Sequence, residues 1–120
     1  MLLKITSIAD RGVLEKERIV MKAASDTDIG RFAIFRCGVE GDQITTIVTD
    51  TFWLPNMTVR AGDLVVLYSK VGKDNERVLK SGATGHFFYW GRTTPLWGSL
   101  DHAPVLVLTR EWESYIPEIA

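Results

Sequence analysis

The residues Gly85–Leu108, GHFFYWGRTTPLWGSLDHAPVLVL, decide how the rest of the chain is read. Two apolar runs, GHFFYW and APVLVL, flank an insert that opens with the turn chemistry Gly-Arg-Thr-Thr-Pro. Each run is short, rich in aromatic or β-branched residues, and bounded by turn residues, the pattern of a strand. Both runs are apolar at odd and at even positions, so neither strand announces which face it turns to the core.

Working outward, the same signal recurs along the chain. Strands are predicted over Leu2–Ala9 (LLKITSIA), Arg18–Ala24 (RIVMKAA), Gly30–Cys37 (GRFAIFRC), Asp42–Asp50 (DQITTIVTD) and Asp63–Val71 (DLVVLYSKV), with a last edge piece around EWESYI. Between them lie ASDTD, VEGD and LPNMTVRAGD, clusters of turn-forming residues. No stretch carries helical apolar spacing over three turns. The segment VGKDNERVLKSGATG is the most polar and reads as a mobile loop. The expectation is one all-β domain over residues 1–120, a β-sandwich of seven to eight strands.

Composition bounds the function. With 46% hydrophobic and 24% charged residues the chain can bury a core, and 120 residues is the size of a single domain. The 14 basic and 15 acidic side chains give a net charge of −1, which supplies no general attraction to nucleic acid or an anionic membrane. No run approaches the roughly 20 apolar residues of a membrane helix, and Lys4 interrupts any leader-like start. Cys37 is the one cysteine, so no internal disulfide or paired-cysteine zinc site can form. Together these point to a soluble, intracellular protein.

Gly62-Asp63 forms a tight turn into a strand, Gly91 releases the chain after Trp90, and Asp101 is placed to accept backbone N–H groups before Ala103. These residues are structural. Trp90 and Trp97 flank the same turn and read either as a core plug or as a ligand platform.

The order EKERIVMKAA, DIGRFAIF, WLPNMTVRAGDLVVLYSKVG, HFFYWG and PLWGSLDHAPVLVL resembles that of lamin tail domains, from about Leu3 to Thr109. The closest parts are Leu54–Tyr68 and Tyr89–Ala103. The chain departs from the family pattern at Phe32, where a Trp is usual, at Gly98–Asp101, and at Arg110-Glu111-Trp112, which replaces a closing Asp-Gly hairpin. The resemblance implies an immunoglobulin-like sandwich that serves as an interaction module, or as a ligand-binding accessory to other proteins.

Three strands are apolar on both faces: Leu64–Tyr68, Phe87–Trp90 and Val105–Leu108. If they share a sheet, its outer face carries an apolar aromatic patch of the kind that marks an interface. The candidate binding residues are Tyr68, Phe88, Trp90 and Leu106, with Trp97 and Arg92 beside them. The partner would be a protein or a second copy of the chain, unless the N-terminal segment or the WLPNMTV loop covers that face. Trp53, Trp97 or Trp112 would alternatively stack on a sugar ring or nucleobase. Nucleic acid would require Arg31, Arg36, Arg92 and Arg110 to cluster.

An enzyme is not expected. His86, Asp101 and His102 have no recognised ligand or catalytic spacing, and Ser69, Ser81 and Ser99 lack a nucleophile-elbow context. Cys37 follows Arg36 but reads as a small apolar packer at a strand end. Neither a metal nor a cofactor is expected.

Overall fold

A computed structural model describes residues 1–119. Ten strands follow one another: β1 (Leu3–Ala9), β2 (Arg18–Ala23), β3 (Thr27–Asp28), β4 (Phe32–Glu40), β5 (Gln43–Trp53), β6 (Thr58–Val59), β7 (Leu64–Tyr68), β8 (Asn75–Val78), β9 (Thr84–Tyr89) and β10 (His102–Leu108). The one helical piece among the described residues is a 3-10 turn, Ile29–Arg31, capped by the Asp28 carboxylate on the Gly30 N–H.

The strands form a five-stranded sheet in the order β1-β2-β7-β9-β8, a three-stranded sheet β10-β4-β5, and the short pair β3-β6. All pairings are antiparallel except β7 with β9. Parallel pairing requires a crossover, and residues 69–83 supply it by way of β8.

The inner faces of the two larger sheets share one core, a sandwich-like arrangement. Leu3, Ile19, Met21, Val65, Leu67 and Phe88 come from the five-stranded sheet, and Phe32 and Ile34 from β4. Phe52, Leu106 and Leu108 pack against the same cluster. Burying such side chains fully contributes about 1.5–3 kcal/mol each, which outweighs any local preference in choosing the face of a strand.

Several expectations are corrected. There are ten strands rather than seven or eight, because β3 and β6 are two residues long and too short for periodicity to register. The polar segment read as a loop contains β8, whose Asn75–Val78 pair with Phe87–Thr84. No strand forms around EWESYI; residues 109–119 have no regular structure. Finally, β10 lies in the three-stranded sheet, not beside β7 and β9.

Candidate interaction site

The two-faced strands find different solutions on the two sheets. On the outer face of the five-stranded sheet, Val66 and Phe87 are buried, and the chain itself covers them. The Arg77 guanidinium lies 4.8 Å from the centre of the Phe87 ring. Tyr68 stacks on Tyr89 with ring centres 5.2 Å apart, and Lys70 and Arg18 approach the Tyr68 ring. Gly72 rests so closely on the Tyr89 ring that any Cβ there would collide with it. The cover therefore comes mainly from the 69–83 crossover, through Lys70, Gly72 and Arg77, with Arg18 of β2 beside it.

On the outer face of the three-stranded sheet, among the described residues, the one aromatic contact over an apolar side chain is that of Trp112 with Trp53. Ile34, Phe52 and Leu106 face the core, so alternation turns Phe35, Thr51, Val105 and Val107 outward. Val105 stands opposite Phe35, Val107 opposite Ala33, and Ala33 opposite Trp53. Phe35, Val105 and Val107 are half-buried, and Trp53 is 47% exposed. Both flanking strands, β10 and β5, are edges. On β5, Ile44, Ile47 and Val48 are also exposed.

The sequence-predicted binding residues fall mostly on the wrong parity. Phe88 and Trp97 are 2% and 1% exposed, inside the core. Trp90 and Leu106 pack against that core, Trp90 touching Phe52 and Trp97. Only Tyr68 of the proposed quartet faces outward, on the other side of its sheet. Trp97 is a plug, not a ligand platform. Arg92 is exposed and pairs with Asp50 at 2.9 Å, and Arg36 reaches the same carboxylate at 3.4 Å. Arg31 and Arg110 lie elsewhere, so the four arginines split into two pairs.

The structural residues behave largely as expected. Gly62 and Gly91 take φ of 90° and 82°, where a side chain would be strained. Asp101 differs: its N–H donates to the Ser99 hydroxyl and its carbonyl accepts Val39 N–H, so Ser99 makes the turn instead.

Buried polar groups are committed to holding loops. Glu17 accepts the Ser69 hydroxyl and the N–H groups of Gly12, Leu96 and Trp97. Burial alone would raise this carboxyl, but the four donors together outweigh it and hold it below the usual carboxylate range. Asp63 accepts Arg60 N–H, Thr84 N–H and His86 Nε2, the last at 3.0 Å. Its carboxyl is likewise held low: burial pushes it up, while His86 and the two N–H groups more than compensate. His86 Nδ1 lies 3.2 Å from Glu76 but makes no hydrogen bond. His102 is far along the chain on β10, and among the described residues no three His, Cys, Asp or Glu side chains converge as a metal set. Cys37 is buried, and burial pushes its thiol up.

At one end of the three-stranded sheet, two adjoining clefts of about 540 and 380 Å³ share Gly30, Asn56 and Trp112. Arg31 and Arg110 line the larger and Trp53 the smaller. The Trp53 indole N–H donates to Gly30 O at 2.7 Å, which fixes its ring. Trp112 meets it edge-on, with centres 5.1 Å apart. Gly30 forms the floor, because a Cβ there would collide with Asn56.

No family model, curated protein or solved structure matches this chain.

Trp53, Trp112, Arg31 and Arg110 are legible one by one in the sequence, but only the fold brings them together at one cleft. Glu17 was missed altogether, because a glutamate within EKER looks like any solvated charge.

Proposed function

We propose that the chain is a non-catalytic interaction module that binds a protein partner or a second copy through the outer face of its three-stranded sheet. The observation that carries this reading is that face itself: Phe35, Val105 and Val107 are half-buried on it, Trp53 stands 47% exposed at its margin beside Trp112, and it lies between two unpaired edges. The covered face of the other sheet sharpens the contrast. A lamin-tail-like, immunoglobulin-like identity accords with the motif order of the sequence and with two sheets around one core. A non-catalytic role accords with Glu17, Asp63 and His86 being spent on backbone and turn contacts. Among the described residues no helix is long and apolar enough to cross a membrane.

The test is absolute mass by light scattering over a wide concentration range, followed by capture of partners if the mass is that of one chain. Val105→Lys should abolish association while leaving the circular dichroism spectrum unchanged. Association or capture that ignores this substitution would remove the sheet face from consideration.

A second reading follows from the Trp53–Trp112 pair with Arg31 and Arg110 beside it: an accessory site for an anionic sugar or a nucleotide. Tryptophan fluorescence titrated with glucuronic acid and with AMP tests it.

A further inference from the structure

We infer that the cleft at the end of the three-stranded sheet receives the C-terminal tail of a second copy, residues 113–119, in a reciprocal exchange; this rests on the assembly reading above.

The tail looks like a ligand without a site. Beyond Trp112, Tyr115, Ile116 and Ile119 are 87%, 84% and 99% exposed. Side chains this large and apolar are rarely held wholly in water, and they come close together in the chain. The described residues of the tail beyond Arg110 make no hydrogen bond to the rest of the domain. The segment is also one-signed: Glu111, Glu113 and Glu118 are acidic, and no basic residue follows Arg110.

The cleft looks like a site without a ligand. Arg31 and Arg110 have no ion-pair partner among the described residues, and guanidinium forks suit carboxylates. Trp53, its ring fixed by Gly30 O, and Trp112 offer aromatic surface for Tyr115 and Pro117. Charge and apolar character are thus complementary between the tail and the cleft.

Trp112 is part of the wall of the cleft, but residues 113–119 of the same chain line neither of its two parts. The chain's own tail thus leaves its cleft open, with Tyr115, Ile116 and Ile119 exposed. The tail of a second copy would supply what the chain's own tail does not. If each chain gives its tail to the other about a two-fold axis, both clefts and both tails are satisfied and the assembly closes as a dimer. Trp53 also joins the cleft to the outer sheet face, so one contact would cover both surfaces.

The experiment is light scattering on the full chain, on Tyr115→Ser/Ile116→Ser, on Arg31→Glu/Arg110→Glu, and on the latter combined with Glu113→Arg/Glu118→Arg. The expected result is a dimer for the parent, at least a tenfold weaker dimer for each of the first two variants, and recovery in the charge-swapped combination. Circular dichroism confirms that each variant is folded. A dimer untouched by the tail variant but lost with Val105→Lys would overturn the exchange and leave the sheet-face reading standing. A parent that is monomeric throughout overturns the exchange; captured partners lost with Val105→Lys would then uphold the broader reading, and their absence would sink both. Fluorescence saturation of the monomer by glucuronic acid or AMP would assign the cleft to a small anionic ring ligand instead.

Discussion

The carboxylate of Glu17 accepts the backbone N–H of Trp97 at 3.0 Å across 80 residues of sequence. The neighbouring Leu96 N–H reaches the same carboxylate at 2.8 Å, while Arg11 and Arg36 donate to the carbonyls of Trp97 and Leu96. The Leu96–Trp97 backbone is thereby satisfied on both its donor and acceptor sides where it carries the Trp97 ring into the core.

Glu17→Ala should destabilise the domain by about 3 kcal/mol or more, because it leaves three buried donors, the Ser69 hydroxyl and the N–H groups of Leu96 and Trp97, without an acceptor. Glu17→Gln should be nearly as damaging, since its NH₂ group would face N–H donors. Urea unfolding followed by tryptophan fluorescence measures both. A loss below about 1 kcal/mol would show that water replaces the carboxylate without difficulty.

Acid should weaken the fold through Glu17 and Asp63. Both carboxyls are lower in the folded chain than in the unfolded one, so the unfolded state binds protons first as pH falls. Their stabilisation is complete above the ordinary carboxylate pKa of about 4, declines as pH drops through it, and is gone below the depressed folded values. Unfolding free energy measured from pH 6 to pH 2 should fall less steeply in Asp63→Asn than in the parent. Equal slopes would refute the assignment.

Trp97→Ala should cost about 3–5 kcal/mol, as expected for emptying a core site of this size. Trp53→Ala, on the surface, should cost about 1 kcal/mol or less while weakening association. Comparing thermal unfolding with light scattering for the two variants separates a packing role from an interface role. Both indoles behaving alike would contradict the burial difference.

Gly91→Ala should destabilise by about 1 kcal/mol through backbone strain alone, as open space surrounds the position. Gly30→Ala should do more, since the new methyl meets Asn56, and it should also shift the Trp53 fluorescence. Denaturant midpoints and emission spectra report the two effects.

Cys37 should resist a thiol reagent in the native state and react fully once unfolded, because it is buried and its thiol is pushed up. Reaction within seconds at neutral pH would mean that β4 opens readily around Cys37, inside the strand between Ala103 and Val48.

Short apolar runs and the turn residues between them were enough to place seven of the strands, because alternation and chain-breaking chemistry are local properties. Leu64–Tyr68 and His102–Leu108 could be read as strands from their own residues. Which face of each turned inward could not, because an apolar residue at every position removes the parity signal. Sheet membership was equally hidden: β10 pairs with β4 rather than with β9, and pairing depends on contacts far apart in sequence. Glu17 is charged in sequence and becomes a buried anchor only when Gly12, Ser69, Leu96 and Trp97 converge on it. By itself the sequence determined an all-β chain, its turns and its lack of a strong net charge. The tertiary structure alone decided which apolar face is covered by the 69–83 crossover, which keeps half-buried apolar residues between two edges, and which aromatic and basic residues share a cleft.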